Sequence, residues 1–168
     1  MEILYEDNHI IIVNKQAGEI IQGDKTGDRT VADEIKAYLK EKYNKPGAVF
    51  LGIPHRLDRP VSGVSIFART SKALARLNEM FRKGEIEKTY QAIVIHEPQI
   101  ESRTLEHWLT RNEKQNKAYA HKAPQKNAKK AILDYKVEAK SDRYWLINVQ
   151  LHTGRHHQIR CQLAAIGC

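Results

Sequence analysis

The sequence predicts a domain of the α+β class, with a mixed, largely antiparallel sheet and flanking helices. The 168 residues suit one compact domain, because chains of roughly 100 to 200 residues can bury a sizeable core. Short β-rich runs lie between amphipathic stretches at irregular spacing, and several neighbouring runs are spaced like hairpins rather than parallel crossovers. Hydrophobic residues make up 41% and charged residues 29%, a globular balance that argues against a disordered chain.

The chain opens with a predicted hairpin. Two β-rich runs, Ile3–Tyr5 and Ile10–Val13, are separated by the turn-forming pair Asp7-Asn8. Gly18 and Gly23 then indicate a loop.

Two helices follow in the pattern. The first is expected from Thr30 to near Asn44, with Thr30 and Asp33 as a capping box. Its apolar residues recur at helical spacing: Val31, Ile35, Tyr38 and Leu39. Ser71 can cap the second helix and Gly84 should end it. Its apolar face comprises Leu74, Leu77, Met80 and Phe81.

The remaining strands are expected on both sides of the second helix. Val49–Ile53 and Val64–Ala68 are typical of buried strands, and Tyr90–Ile95 should return to strand. Ile132–Val137 and Tyr144–Leu151 look like a pair. A final helix is indicated by an apolar stripe: Ile159, Leu163 and Ile166.

The charge favours a polyanionic partner. Lys and Arg number 28 against 20 Asp and Glu, which gives a net charge of +8 and a pI near 9.5. Nucleic acid is the leading candidate, although a generally basic, soluble surface explains the charge equally well. Residues 111–130 are rich in Lys, Asn and Gln and lack a sustained apolar period. They predict an exposed loop or a β-ribbon of low stability, usually a solvated face.

The cysteines and the N-terminus favour a cytoplasmic protein. Cys161 and Cys168 form no CxxC pair or disulfide framework, which fits a reducing compartment. The opening Met1–Asp7 lacks a basic stretch followed by an apolar one, and no apolar run approaches membrane-spanning length. We therefore expect neither secretion nor membrane insertion.

The densest chemical group is the loop His55–Gly63 between two expected strands. It places one carboxylate, Asp58, among His55, Arg56 and Arg59. A neighbouring Arg favours the ionised carboxylate and orients it, so Asp58 could act as a nucleophile or a base. An Asp that merely braces a turn fits the same residues.

A second group is Thr153–Arg160, where the pattern predicts the end of a strand, a Gly turn and the start of a helix. Helix starts commonly bind anions, and His156 and Arg160, four apart, should share a helix face. A basic, solvated first turn is the plainer interpretation. The clustered histidines lack a nearby Asp or Cys at a familiar ligand spacing, so a metal site is not favoured: His152, His156 and His157.

Together these residues resemble a known family, the RluA-type pseudouridine synthases. The similarity spans nearly the whole chain. It rests on four blocks in family order: Asn8–Lys15 with Gly18; His55-Arg56-Leu57-Asp58 with Ser62-Gly63; Lys88-Thr89-Tyr90; and Thr153-Gly154-Arg155 with His157–Arg160.

The resemblance implies an α+β fold around a central active-site cleft and an enzyme that isomerises uridine to pseudouridine in structured RNA, ribosomal or transfer RNA. No cofactor or metal is needed. It implies that Asp58 is the nucleophile, that Tyr90 packs on the target uracil although a strand aromatic alone is more often core, and that Arg160 pairs with Asp58. It places five further residues in substrate or RNA binding: His55, Arg56, Arg155, His157 and Gln158.

The sequence also departs from the family pattern. Gln16 replaces a usual proline, Pro60-Val61 replace an Ala-Thr-like pair, and His156 replaces a Ser or Thr. None of these changes removes a proposed catalytic group. The chain ends at Cys168 where family members continue, so we expect the C-terminal part of the family domain to be missing from 1–168, and we expect no N-terminal accessory RNA-binding domain.

Two alternatives remain open at this point. One is a noncatalytic RNA-binding protein on the same fold, in which Asp58 is dispensable. The other is an Asp-nucleophile hydrolase or a phosphoryl-transfer enzyme. The second is less favoured because the sequence has neither a Gly-rich phosphate loop nor a carboxylate cluster for magnesium.

Overall fold

A computed structural model describes residues 1–23 and 27–168. The chain divides into two compact units, Met1–Glu85 and Ile86–Cys168. The single domain over 1–168 stays a prediction. The elements in chain order are β1 (Glu2–Glu6), β2 (Ile10–Lys15), α1 (Val31–Lys42), β3 (Gly63–Ala68), α2 (Ser71–Lys83), β4 (Thr89–Val94), β5 (Ser102–Asn112), β6 (Lys117–His121), β7 (Lys129–Lys140), β8 (Trp145–Leu151) and α3 (Gln158–Ala165).

The first unit contains a three-stranded antiparallel sheet in the order β1-β2-β3. The predicted N-terminal hairpin is confirmed. Asp7 closes its turn, because its Oδ1 accepts the backbone N–H groups of His9 and Ile10, both at 2.7 Å. This local bond explains why an Asp-containing turn follows β1.

Helix α1 covers the buried side of β2. The predicted capping box is confirmed: Thr30 Oγ1 accepts from the Asp33 backbone N–H at 3.0 Å, and the Asp33 carboxylate accepts from the Thr30 N–H at 3.2 Å. Residues of α1 and of the sheet share one buried cluster, whose members are Ile11, Val13, Ile21, Val31, Ala32, Ile35, Leu39 and Phe67.

The predicted strand Val49–Ile53 is wrong. The structure forms only a single bridge there, in which Gly52 exchanges two backbone hydrogen bonds with Ala68 at 2.8 and 2.9 Å. The next outward amide of β3, the N–H of Ile66, donates to the His55 side chain instead of to a backbone carbonyl. A second ladder therefore cannot extend along this edge of β3.

Gly52→Ala is expected to destabilise the first unit by roughly 1 to 3 kcal/mol. A Cβ atom at this position would lie 2.8–3.0 Å from the Leu74 side chain, closer than real contacts allow. Thermal unfolding followed by circular dichroism measures the effect. Gly47→Ala is the matched control, since a Cβ there meets nothing within 4 Å. Equal melting temperatures for the two variants would show that Leu74 simply moves aside.

The second helix, α2, begins and ends with local signals. Its N-cap is Thr70, whose Oγ1 accepts from the Ala73 N–H at 3.1 Å, so the predicted cap at Ser71 is wrong by one residue. Thr70 has the extended backbone of a cap, whereas Ser71 is already helical. Gly84 ends the helix in the left-handed conformation, with φ of 75°, as predicted.

A polar cluster around Glu6 ties β1 to α1. The Glu6 carboxylate accepts from Tyr38 Oη and Lys42 Nζ at 2.8 Å, from Tyr43 Oη at 2.7 Å and from Arg69 Nη1 at 3.0 Å. Desolvation alone would raise the pKa of Glu6, but the hydrogen bonds from Lys42 and the two tyrosines outweigh it and lower the pKa to about 2.

The second unit contains a five-stranded sheet in the order β4-β8-β7-β5-β6, antiparallel throughout. The predicted strands near Tyr90–Ile95, Ile132–Val137 and Tyr144–Leu151 are confirmed as β4, β7 and β8. Of the two structures predicted for residues 111–130, a loop or a β-ribbon, the ribbon is correct, because β5 and β6 pair across a turn. The predicted final helix is confirmed as α3.

The α+β class and the antiparallel pairing are thus confirmed, with the strands in two sheets. Most of β5, from Ser102 to Thr110, was not predicted. Its signal is a short alternation in which Leu105 and Leu109 are buried and His107 between them faces the same side. Among the described helices, none combines the length and the apolar character needed to cross a membrane.

Candidate active site

The loop that carries Asp58 is held by a buried ammonium group. Lys15, at the end of β2, is 0% exposed. Its Nζ lies 3.2 Å from the carbonyl oxygens of Asp58 and Arg59, 2.5 Å from that of Val61 and 3.1 Å from that of Gln16. Four backbone acceptors therefore converge on one donor group and fix the path of the loop.

Burial dominates the electrostatics of Lys15. Desolvation lowers its pKa and outweighs the nearby negative charges of Glu19 and Asp58, which act in the opposite direction. The sequence contained the signal for this burial. Ile11, Val13 and Lys15 alternate along β2 and all three are 0% exposed, so Lys15 occupies the register of the core. In the family resemblance this lysine is only one residue of the opening block Asn8–Lys15.

Two further backbone bonds shape the turn at Asp58. The Val61 N–H donates to the Asp58 carbonyl at 3.0 Å, and the Gly18 N–H donates to the Arg59 carbonyl at 2.8 Å. Gly18 has a φ of +93°, which glycine adopts without strain. Leu57 packs against the core on one side of the turn. Asp58 itself is half-buried. The hydrogen bonds on both sides of Asp58 fix the backbone that carries its carboxylate.

The basic neighbours of Asp58 have different surroundings. His55 Nε2 accepts the Ile66 N–H at 3.0 Å, and its ring centroid lies 5.0 Å from that of Phe81, so His55 braces the loop against β3 and α2. Arg56 is exposed. Arg59 is paired with Asp28, with Nη2 to Oδ2 at 2.8 Å. Binding of RNA by His55 and Arg56 stays a prediction.

In the second unit, Tyr90 lies on the side of the sheet that α3 covers. Residues of β4 alternate, so Tyr90, Ala92 and Val94 pack against the core cluster that also contains Leu163 of α3. Tyr90 pairs with Val149 across the ladder and is half-buried. Tyr90 therefore packs partly against the core and remains partly accessible to solvent.

The turn before α3 is organised by a buried glutamine. Gln158 is 3% exposed. Its Oε1 accepts from Thr153 Oγ1 at 2.8 Å and from the Arg155 N–H at 3.0 Å, and its Nε2 donates to the Ile132 carbonyl at 3.0 Å. Both ends of the Gln158 amide are thus hydrogen-bonded to other residues of the second unit. This favours a positioning role for Gln158 over direct contact with RNA.

The helix starts later than the sequence suggested. His157 is the N-cap, with a left-handed φ of 50°, and α3 begins at Gln158. The prediction that His156 and Arg160 share a helix face is wrong, because His156 precedes the helix. Its ring instead stacks on that of His157, with centroids 3.7 Å apart. Arg155 is exposed and its Nε donates to the Lys130 carbonyl at 2.9 Å.

A second buried glutamine anchors α3 to the sheet. Gln162 is 0% exposed, and its Nε2 lies 3.1 Å from the Leu105 carbonyl, 3.3 Å from the Ala131 carbonyl and 3.1 Å from His107 Nδ1. Arg160 lies between the two anchored glutamines on the same helix and is exposed. The backbone that carries Arg160 is therefore fixed while its side chain remains accessible.

Each unit thus gathers a part of the predicted site. The first unit holds His55, Arg56 and Asp58 on one loop. The second unit holds five predicted residues on β4 and at the start of α3: Tyr90, Arg155, His157, Gln158 and Arg160. Over residues 1–23 and 27–168, no group of three or more His, Cys, Asp or Glu side chains is arranged to hold a metal ion.

Comparison with known proteins agrees with this arrangement. The family model described as RNA pseudouridylate synthase matches residues 9–165. An uncharacterized RNA pseudouridine synthase of Chlorobaculum parvum is 37% identical, covering 98% of this chain and 52% of the relative. The ribosomal large subunit pseudouridine synthase D of Yersinia pestis is 31% identical, covering 99% and 49%. The chain spans about half the length of the curated relatives it matches.

Solved structures show the same fold. Human RNA pseudouridylate synthase domain containing 4 superposes with a TM-score of 0.80 at 23% identity, covering 98% of this chain and 64% of that one. Human RNA pseudouridylate synthase domain containing 1 gives 0.77 at 24% identity, covering 99% and 65%. The resemblance to RluA-type enzymes is confirmed, and the chain belongs to the RNA pseudouridylate synthase family.

Proposed function

We propose that this chain isomerises uridine to pseudouridine in RNA, with Asp58 as the nucleophile and without a metal or cofactor. The observation that carries the proposal is the turn at Asp58. A buried ammonium group, Lys15, contacts the carbonyl oxygens of Asp58, Arg59 and Val61 at 2.5–3.2 Å. A rigidly placed carboxylate on such a loop is what covalent catalysis requires, and family membership indicates which reaction it serves.

The reaction needs little beyond a positioned carboxylate. The N1–C1′ glycosidic bond breaks, the uracil turns, a C5–C1′ bond forms, and the C5 hydrogen leaves as a proton. A carboxylate can assist by adding to C1′, by adding to the base or by removing a ribose proton. Each route needs Asp58 ionised and divides the change into easier steps. No oxidation occurs, so no redox cofactor is consumed.

The other predicted residues take supporting roles in this proposal. Tyr90 faces the target uracil with its accessible ring surface after the nucleotide is flipped out of its stack. Arg160 is the proposed ion-pair partner of Asp58. Four residues sit near the RNA backbone: His55, Arg56, Arg155 and His157. Gln158 holds the turn that presents them. We propose ribosomal or transfer RNA as substrate, in the cytoplasm.

Asp58→Asn is expected to abolish the release of tritium from RNA labelled at uridine C5. The amide keeps the size of the side chain but is not nucleophilic, whereas RNA affinity should change little. The assay uses this chain with a broad pool of labelled RNA. Arg160→Gln should reduce release strongly without abolishing it, because it removes the proposed ion-pair partner and leaves the carboxylate.

Asp142→Asn is the matched control, since Asp142 is an exposed carboxylate in the turn between β7 and β8. Near-normal release by Asp58→Asn would remove Asp58 from its role. No release by the folded parent chain, combined with RNA binding, would instead support the noncatalytic RNA-binding alternative. Circular dichroism of each variant separates loss of activity from loss of fold.

A further inference from the structure

Most of the net positive charge of this chain lies in one segment. Residues 111–130 contain seven Lys and Arg and one acidic residue, Glu113, a net charge of +6 out of +8 for the whole chain. We call this segment the basic arm. All seven cationic residues are exposed: Arg111, Lys114, Lys117, Lys122, Lys126, Lys129 and Lys130. Outside this segment, cationic and acidic residues nearly balance, and the net charge there is +2.

These cations are largely uncompensated. Of the seven arm cations, only Lys130 has an ion-pair partner among the described residues. Its Nζ lies 2.9 Å from Glu106 Oε1. Like charges crowded on paired strands repel one another and destabilise the ribbon. A polyanion that replaces the missing counter-charges would relieve this repulsion, whereas a merely solvated surface would intersperse both signs.

Side-chain hydrogen bonds close the tip of the arm. The turn from Glu113 to Asn116 is closed by the Asn112 side chain, whose Oδ1 accepts from the Gln115 N–H at 3.1 Å. The Gln115 side chain in turn accepts from Tyr119 Oη at 2.7 Å. Residues 110–112 of β5 pair with β6 alone, because the ladder with β7 ends at Leu109. The tip therefore projects as a preformed hairpin, which limits the entropy lost on binding.

Aromatic rings lie among the cations on one face of the hairpin. Trp108 is opposite His121 and Thr110 is opposite Tyr119, so the three rings share a face. Tyr119 is 44% exposed. Lys117 belongs to this face, and Lys130 Nζ lies 5.9 Å from the Trp108 ring centroid. Stacking surfaces interleaved with cations are typical of surfaces that bind single-stranded nucleic acid.

We propose that the basic arm binds the RNA backbone outside the nucleotide that is modified. This inference rests on the proposed function only in taking RNA as the partner. Its cations contact phosphates without reading sequence, and the exposed Tyr119 ring stacks on an unpaired base. The arm therefore adds to the affinity for RNA and takes no part in the chemical step.

The test replaces four arm lysines together: Lys114→Gln, Lys117→Gln, Lys122→Gln and Lys126→Gln. The control removes the same charge elsewhere, through four exposed lysines: Lys36→Gln, Lys40→Gln, Lys136→Gln and Lys140→Gln. Fluorescence anisotropy with a labelled, mixed-sequence single-stranded RNA gives Kd over a series of salt concentrations. Tritium release gives kcat and KM for the same proteins.

The arm variant should bind RNA at least roughly tenfold more weakly, and the slope of log K against log salt should shrink by about 3, since each lost phosphate contact removes about 0.7. KM should rise while kcat at saturating RNA stays unchanged. The control should change the slope by less than about 1. An arm variant whose Kd and slope match those of the control would overturn the proposal.

The two proposals fail separately. If the parent chain releases tritium but the arm variant binds like the control, the arm proposal is wrong and the isomerase stands. If the parent chain releases no tritium but the arm variant alone loses RNA binding, the arm proposal stands and the isomerase is wrong.

Discussion

Lys15→Met is expected to lower the free energy of unfolding of the first unit by about 3 kcal/mol. Methionine matches the unbranched lysine side chain as far as Cε and lacks the ammonium group. Four carbonyl oxygens accept hydrogen bonds from Lys15 Nζ. In the variant these oxygens would lose that donor in a buried site. The absence of the lysine's own desolvation cost offsets part of this loss. Urea unfolding followed by circular dichroism gives the difference.

The same substitution should reduce tritium release by roughly 100-fold even where the protein is folded, because small displacements of a reacting group are costly. The fall should appear in kcat, since Lys15 positions Asp58 and does not contact RNA. Lys40→Met is the control, as an exposed lysine of α1. A folded Lys15→Met variant with a normal kcat would mean that the loop keeps its shape without the ammonium.

Glu6→Gln is expected to cost about 2 kcal/mol of stability at neutral pH. The Glu6 carboxylate, 10% exposed, accepts four hydrogen bonds, and its pKa is lowered from 4.5 to about 2. The full shift corresponds to a larger value, but Lys42 is 45% exposed and solvent screens its contribution. The exposed Glu41→Gln serves as the control.

The cost of Glu6→Gln should depend on pH in a defined direction. Because the folded state lowers the pKa, the stabilisation by Glu6 is complete above about 4.5 and is lost as the pH falls towards about 2. Urea unfolding of parent and variant at neutral pH and near pH 3 measures this. A difference between parent and variant that is the same at both pH values would show that the hydrogen bonds, not the charge, carry the effect.

Local signals accounted for most of the fold. The Asp7 turn, the Thr30–Asp33 capping box and the Gly84 terminus depend on residues close in sequence, so pattern alone located them. Val49–Ile53 failed for a non-local reason. A strand needs a partner with free backbone groups, and the Ile66 N–H of β3 is taken by the His55 side chain. Nothing near residue 50 reveals that competition.

In the candidate site, too, the sequence predicted what depends on local motifs and missed what depends on distant contacts. The motif residues marked the Asp58 loop and the start of α3, but not the groups that hold them. Lys15 contacts carbonyls more than 40 residues away, and Gln158 and Gln162 bond to strands 26 to 57 residues away. Contacts between residues so far apart in sequence can be recognised only in the folded structure. The alternation of Ile11, Val13 and Lys15 is the exception, since it placed a lysine in the core register.

The use of glutamine to secure α3 has a chemical consequence. An amide does not ionise, so Gln158 and Gln162 hold the helix with contacts that are invariant across the range in which proteins are assayed. His107 is a titratable residue in contact with Gln162. Its pKa is lowered by desolvation and by the charges of Arg103 and Lys122, which keeps the ring neutral as the solution is acidified further. The amide contacts beneath Arg160 would therefore not by themselves make the rate depend on acidity.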